Sequence, residues 1–230
     1  DKVRNYAEKI VVSSQHLLRL INDVLDMSKI ESGKTTLNLC DVNLADIVKE
    51  TDNIIRPQAK KKNQTFVVKS DDIEYCCITA DKLRLSQILI NILSNAVKYT
   101  GEGGNITFEI KEVKVTNPQI AKYKFIISDN GIGMSEEYLK EVFKPFTREE
   151  TSLTDAVQGT GLGMAITKNL IDLMGGTIKV FSTQGVGTTY EVTMEFRIAD
   201  INTNKDLWNR YNLPVHEIEQ DHVLVGKNFL

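Results

Sequence analysis

The stretch NILSNAVKYT, residues 91–100, ends an apolar segment that is predicted to form a helix from Asp81 to Lys98. Its core face would consist of Leu85, Ile88, Leu89, Ile92 and Ala96. Beside that face runs a polar stripe at helical spacing: Arg84, Gln87, Asn91, Asn95 and Lys98. Amide carbonyl oxygens are hard ligands that suit Mg²⁺, and a lysine suits phosphate. The stripe predicts a phosphate-binding cleft, and a merely solvated helix face is the alternative.

Two glycine-rich stretches follow along the chain. In IISDNGIGM, residues 126–134, Asp129 ends a predicted strand, where a carboxylate can accept a hydrogen bond from an exocyclic amine such as that of adenine. Gly131 and Gly133 would let the backbone approach a ligand closely. GTGLGMAI, residues 159–166, opens a helix whose free N–H groups suit phosphates. It is neither a Walker A loop nor the GxGxxG of a dinucleotide-binding turn.

The hydrophobic pattern predicts an α/β fold, a two-layer sandwich with helices on one face of a mixed sheet. Helices are expected at 44–62, 81–98, 135–143 and 161–174, and strands at 67–68, 76–78, 106–110, 124–128, 177–182 and 190–196. The last two strands would form a hairpin around residues 184–185. A polar stretch, residues 147–158, is predicted to be a mobile loop.

Three segments are predicted. Residues 1–33 are a long helix with a heptad pattern of apolar residues, which requires partner helices. Residues 34–196 form the sandwich domain, and residues 197–230 are expected to be a linker towards a further domain that this chain lacks.

Composition excludes several classes of protein. A net charge of −3 and the lack of a long apolar stretch argue against nucleic-acid binding and membrane contact by this chain. Three cysteines without a CxxC pattern predict neither a disulfide framework nor a zinc site and favour the cytoplasm. The run at residues 60–62 is expected to be a solvated turn.

Taken in order, these stretches resemble the catalytic domain of bacterial sensor histidine kinases, within the GHKL superfamily that also contains Hsp90, MutL and type II topoisomerase ATPases. NILSNAVKYT resembles the N box, DNGIGM and GTGLGMAI the two glycine boxes, FKPF the F box, and GVGTTYEV the terminal glycine motif. The resemblance covers residues 1–196 and implies a Bergerat-type ATP-binding fold.

The resemblance implies a role for each matching residue. Asn95 would bind Mg²⁺ with Asn91 beside it, and Lys98 would reach the ATP phosphates; these three would be the catalytic residues. Asp129 would accept a hydrogen bond from the adenine amine, and Phe143 with Phe146 would anchor the base of the loop at 147–158. The remaining residues implied in binding ATP are Tyr99, Gly131, Gly133, Arg148, Gly159, Thr160, Gly161, Leu162, Gly163 and Thr188.

The implied activity is transfer of the ATP γ-phosphoryl group to a histidine, followed by relay to an aspartate of a receiver domain. That receiver would be part of the same chain, as in a hybrid kinase, or a separate response regulator. Residues 1–33 resemble the second dimerisation helix, which implies a homodimer whose acceptor helix lies outside this chain. His16 is followed by Leu17 rather than an acidic residue, so we expect an exposed structural histidine and not the acceptor.

Three alternatives are open at this point. The domain could be a catalytically inactive ATP-binding regulatory module, another GHKL ATPase, or mainly a dimerisation element. ATP-hydrolysing members carry a glutamate at the position of Asn91, and an amide cannot act as a general base. The sequence therefore favours transfer over hydrolysis. Some kinases have an acid at the position of Ser94, so the identity of any general base is not predicted.

Overall fold

A computed structural model of the chain describes residues 2–33, 35–70, 73, 75–149 and 160–199. Its helices are α1 (Lys2–Glu31), α2 (Leu44–Lys61), α3 (Lys82–Tyr99), α4 (Glu136–Leu139) and α5 (Gly163–Leu173). Its strands are β1 (Cys40–Asn43), β2 (Thr65–Ser70), β3 (Cys77–Ala80), β4 (Asn105–Val113), β5 (Ile120–Asp129), β6 (Thr177–Thr183) and β7 (Gly187–Ile198).

The strands form one mixed sheet in the order β1-β3-β7-β5-β4-β2, with β6 paired to β7. β2 and β4 are parallel, and the other pairs are antiparallel. β7 borders three strands, since β5 pairs along one edge while β6 and β3 share the other. The predicted hairpin is present, because Thr183 pairs with Gly187. The central strand β7 therefore connects the hairpin to the rest of the sheet.

The two faces of the sheet differ sharply. On one face, alternate residues of β5 such as Tyr123, Phe125 and Ile127 are fully buried in a core shared with α2, α3 and α5. On the other face the intervening residues form cross-strand ion pairs, Lys122–Glu195 at 2.9 Å and Lys124–Glu191 at 3.3 Å. This alternation confirms the predicted two-layer sandwich with helices on one face.

Strand β1 was not predicted from the sequence. Only Val42 and Asn43 of its four residues are buried, so no alternating pattern marks it. Pairing with β3 in the register Cys40 to Ala80 creates this strand. Asn43 then caps α2, because its side chain accepts a hydrogen bond from the Ala45 N–H at 2.7 Å.

Helix α1 leaves much of its apolar surface exposed. Ile10, Leu17, Val24 and Leu25 are each 49–65% exposed. An exposed apolar surface of this kind is what the prediction of partner helices requires, and the partners themselves stay a prediction. His16 lies in α1, but its side chain is outside the described part of the structure. None of the described helices combines the length and apolarity needed to span a membrane.

The C-terminal end of α3 is capped by the turn after α2. The Lys62 ammonium donates hydrogen bonds to the carbonyls of Val97 and Lys98, both at 2.9 Å. The buried Gln64 amide donates to the carbonyls of Thr100 at 2.6 Å and Gly101 at 3.2 Å. A cation beside unpaired C-terminal carbonyls is favourable. The prediction of a solvated turn at residues 60–62 was therefore wrong for Lys62.

The backbone after β5 passes very close to two other segments. A Cβ on Gly131 would lie 2.4 Å from the Tyr99 carbonyl oxygen, which accepts a hydrogen bond from the Ile132 N–H at 3.2 Å. Gly133 has φ +64°, and a Cβ there would lie 2.0 Å from the carbonyl oxygen of Thr183. The glycines were expected to admit a ligand. Both allow the turn after β5 to contact other protein backbone, and their role towards a ligand stays a prediction.

Replacing Lys62 by Met should destabilise the fold by about 1–3 kcal/mol, because the α3 carbonyls lose a charged donor. Urea unfolding followed by circular dichroism measures this change. Lys61→Met is the matched control, since Lys61 is exposed in the last turn of α2 and should change stability by less than about 0.5 kcal/mol. Equal losses in the two variants would contradict the capping role.

Replacing Gly133 by Ala should lower the free energy of unfolding by more than backbone strain alone would. Gly103 has φ +73°, but a Cβ added there would meet no atom within 4 Å, so Gly103→Ala should lose only about 1–2 kcal/mol. Gly133→Ala adds the collision with the Thr183 carbonyl, and we expect a loss of at least about 3 kcal/mol. Thermal and urea unfolding compare the two variants. Similar losses of stability in the two variants would show that the Thr183 carbonyl does not exclude a Cβ at position 133.

Candidate functional site

A cavity of about 300 Å³ lies between α3, α5 and the ends of β5 and β7. It collects residues from NILSNAVKYT, DNGIGM, GTGLGMAI and GVGTTYEV, but none from FKPF, residues 143–146. The predicted site residues that line it are Asn91, Asn95, Lys98, Tyr99, Asp129, Gly133, Arg148, Thr160, Gly161, Gly163 and Thr188. Gly131, Phe146 and Leu162 do not line it, and Gly159 falls outside the described residues.

Helix α3 supplies one polar wall of the cavity. The Asn91 amide nitrogen donates to Thr167 Oγ1 at 3.3 Å and to the Gly163 carbonyl at 3.5 Å, which commits that nitrogen to α5. The Asn91 amide oxygen is therefore the atom available to a ligand. Asn95 lies one turn further along the same wall, and Lys98 follows with its ammonium 3.1 Å from the Tyr99 hydroxyl.

Asp129 forms the opposite wall, at the end of β5. Burial raises the pKa of its carboxyl to about 6, although backbone hydrogen bonds from Gly131 and Thr188 act in the other direction. The Gly131 N–H donates to Asp129 Oδ1 at 2.9 Å, which fixes the orientation of the carboxylate. Asp129 is thus a half-buried acceptor that is ionised at neutral pH.

The floor of the cavity is apolar and aromatic, and none of its residues was predicted from the sequence to belong to the site. They are Ile132, Met134, Tyr138, Val142, Met164 and Tyr190. Met134 and Met164 belong to the core and also border the cavity. Burial raises the pKa of the Tyr138 and Tyr190 hydroxyls, which therefore stay neutral. Such a floor suits a flat aromatic ring.

The start of α5 forms a further wall of the cavity, next to α3. The helix begins at Gly163, two residues later than predicted, and Leu162 at its N-cap position supplies no side-chain hydrogen bond. A Cβ on Gly163 would meet no atom within 4 Å, so the helix start is open towards the cavity. Backbone N–H groups at an uncapped helix start attract anions. Leu162 is itself buried in the core, and its N–H donates to Thr160 Oγ1 at 3.1 Å.

The segment before residue 150 reaches the cavity with Thr147, Arg148 and Glu149, of which the sequence indicated only Arg148 as a binding residue. Glu149 Oε1 accepts a hydrogen bond from the Ser135 N–H at 3.0 Å and so connects this segment to the start of α4. Phe143 packs against the core, whereas Phe146 is 70% exposed with φ +62°. The Phe146 N–H donates to the Gly161 carbonyl at 3.0 Å, so the backbone of Phe146, rather than its ring, connects the segment to the residues just before α5.

The donor set fits a hard cation held together with phosphates. Asn91 and Asn95 present amide groups to the cavity from successive turns of α3. Among the described residues there is no cluster of three or more His, Cys, Asp or Glu that could hold a metal alone. Mg²⁺ is commonly held by few protein oxygens, with water and phosphate as further ligands. The cavity is therefore suited to a metal that arrives with a nucleotide.

Comparison with known proteins identifies the domain. Residues 80–198 match the family described as histidine kinase-, DNA gyrase B-, and HSP90-like ATPase. Over 206 residues the chain is 37% identical to the non-motile and phage-resistance protein of Caulobacter vibrioides, covering 90% of this chain and 24% of that protein. It is 36% identical to the autoinducer 2 sensor kinase/phosphatase LuxQ of Vibrio parahaemolyticus, covering 84% and 22% respectively. The chain thus spans about a quarter of the length of these relatives.

Solved structures give the same result. Full-length ShkA in complex with AMPPNP superposes with a TM-score of 0.71 at 28% identity, covering 86% of this chain and 40% of ShkA. Histidine kinase ThkA in complex with response regulator protein TrrA has the same fold, with a TM-score of 0.60 at 24% identity over 82% of this chain and 50% of that one. The matched region contains α3, α5 and every wall of the cavity. The chain belongs to the family of histidine kinase-, DNA gyrase B- and HSP90-like ATPases.

Proposed function

We propose that this chain is the ATP-binding catalytic part of a two-component sensor histidine kinase. It would transfer the γ-phosphoryl group of ATP to a histidine on a dimerisation helix outside this chain. The observation that carries the proposal is the arrangement of one cavity, in which the amides of Asn91 and Asn95 lie with Lys98 on one wall and the half-buried Asp129 lies on another. The sensor kinases among its relatives support the same interpretation.

Each wall has its own task in this proposal. Asp129 accepts a hydrogen bond from the adenine amine, and the apolar floor with Tyr138 and Tyr190 holds the ring. Lys98, Arg148 and the start of α5 bind the phosphates. Asn95, with Asn91 beside it, holds Mg²⁺, which neutralises phosphate charge when it is bound. The residues of the chain thus position the phosphates and neutralise their charge, which is most of what phosphoryl transfer requires of a protein.

Transfer is favoured over hydrolysis by the residues beside the phosphates. Asn91 carries an amide and Ser94 a hydroxyl, and both line the cavity. Neither group removes a proton from water at neutral pH. The imidazole of a histidine acceptor has its own lone pair and needs no such base.

The partners follow from the same proposal. The exposed apolar residues of α1 would pair in a homodimeric helix bundle, and the phosphoryl group would pass to an aspartate of a receiver domain. ThkA, which shares the fold, has been solved with a response regulator. The domain would work in the cytoplasm, where ATP and such regulators meet.

The activity is tested on the full-length parent protein with Mg²⁺ and γ-labelled ATP, scored for acid-labile protein phosphate. We expect label on a histidine outside residues 1–230 and, for Asn95→Ala, a loss of about 100-fold or more. Asn105→Ala is the matched control, since Asn105 is exposed at the start of β4 and should leave the rate unchanged.

Two results would overturn the proposal. A protein that binds ATP but acquires no phosphate label would be a regulatory module. Multiple-turnover release of inorganic phosphate without protein label would identify a hydrolase.

The affinity for adenosine should fall as the pH is lowered. Because the pKa of Asp129 is about 6, its carboxylate is mostly ionised at pH 7 and mostly protonated at pH 5, where it loses acceptor strength. We expect an affinity about tenfold lower at pH 5 than at pH 7. Isothermal titration with adenosine measures it, since adenosine has no phosphate that titrates in this range.

Asp129→Asn is the control for this pH dependence. The variant should bind weakly at every pH and show a flat profile between pH 5 and 7. A pH profile that persists in Asp129→Asn would assign the titration to another group.

A further inference from the structure

The polar stripe of α3 divides into two halves with different surroundings. Asn91, Asn95 and Lys98 line the cavity, whereas Arg84 and Gln87 lie outside it, one to two turns towards the N-terminus of the helix. The proposed function makes no use of this second half.

Arg84 and Gln87 bind a carboxylate of α1. Arg84 Nη1 lies 3.3 Å from Asp26 Oδ2, and the Gln87 amide nitrogen donates to the same oxygen at 3.1 Å. Arg84 Nη1 also donates to Gln87 Oε1 at 2.8 Å, so the three side chains form a closed triangle. The side chains of Arg84 and Asp26 are only 19% and 23% exposed. A half-buried, three-way contact is stronger and more directional than an exposed ion pair.

Neighbouring contacts hold the same end of α1 in place. Met27 packs against the core of the sandwich domain, and its sulfur lies 3.6 Å from the amide nitrogen of Asn169 on α5. In the segment between α1 and β1, the Asn38 N–H donates to Asp81 Oδ2 at 2.9 Å. Asp81 uses its other oxygen to cap α3. The end of α1 is therefore held both by the first turns of α3, through Asp26, and by α5, through Met27.

We propose that Asp26, Arg84 and Gln87 form a clasp that sets the orientation of α1 relative to the nucleotide cavity. Helix α3 is continuous from Arg84 to Tyr99, so the clasp and Asn95 are joined by about 16 Å of rigid helix. A change in the angle of α1 is thereby transmitted to the cavity wall as a rigid-body movement. Arg84 and Gln87 are positioning residues, and they touch no ligand.

The consequence of the clasp rests on the proposed function. If the acceptor histidine lies on a helix that pairs with α1, the clasp fixes how far the γ-phosphate is from that histidine. The proposal of the clasp concerns only the geometry of α1. It can therefore be wrong while kinase activity is confirmed, and it can be right while kinase activity is absent.

The test measures the orientation of α1 by double electron–electron resonance in this chain. Spin labels are attached at Ser14→Cys on α1 and Lys179→Cys on β6, both exposed, in a background of Cys40→Ser and Cys76→Ser. Excess unlabelled protein keeps one labelled copy in any dimer. We expect one narrow distance distribution for the labelled chain with an intact clasp. The distribution should broaden in Asp26→Arg and in Arg84→Asp, because each substitution places two like charges at positions 26 and 84.

The double variant Asp26→Arg with Arg84→Asp should recover the narrow distribution. It restores opposite charges, and the Gln87 amide can turn to offer its oxygen to an arginine at position 26. Lys82→Asp is the matched control on α3. It breaks the exposed pair of Lys82 with Glu50, at 42% and 53% exposure, and should leave the distribution unchanged.

The titration of each variant with AMPPNP reports whether the sandwich domain is folded. Unchanged affinity, combined with broadening in the single variants and recovery in the double variant, supports the clasp. A narrow distribution in both single variants overturns it. So does a double variant that binds AMPPNP normally but does not recover.

Discussion

The site depends on the contact between the last residue of α3 and the turn that follows β5. The Tyr99 carbonyl meets the backbone of Gly131 and Ile132 at a distance that leaves no room for a Cβ. This contact joins the wall that carries Asn91, Asn95 and Lys98 to the wall that carries Asp129. In the proposed function, one wall would bind the phosphates and the metal, and the other would bind the base. Their separation is thus fixed by backbone contact, which varies less than contact between long side chains.

The partly buried carboxyl of Asp129 has a cost to stability. Its carboxyl is half-buried at the end of β5 and its pKa is raised to about 6, so the folded state holds the proton more tightly than the unfolded chain does. The linkage therefore lowers stability as pH rises from about 4 to 6, by an amount on the order of 3 kcal/mol. An asparagine there would avoid this cost, but it would offer a weaker acceptor to an amine. The orientation supplied by the Gly131 N–H prepares the acceptor before any ligand arrives.

Much of this arrangement could be predicted from the sequence, because the elements that matter have clear periods. The alternation of Tyr190, Val192, Met194 and Phe196 identified β7, and the stripe on α3 identified the polar wall. Other features depend on contacts between distant segments. β1 exists only through pairing with β3, Lys62 is indistinguishable from its solvated neighbours in sequence, and Tyr138 reaches the cavity from a helix of four residues. Such contacts cannot be predicted from a local pattern of residues in the sequence.

Strand β7 has a consequence for how this domain can vary in length. Its side chains alternate between two faces: Thr188 in the cavity wall and Val192 with Met194 in the core lie on one face, and Glu191 with Glu195 form cross-strand ion pairs on the other. Adding or deleting one residue would move every later side chain of the strand to the opposite face, since the period of a strand is two. Insertions are therefore confined to turns such as the exposed residues 114–119 between β4 and β5. Relatives that differ in size should differ at this end of the sheet and keep β7 at constant length.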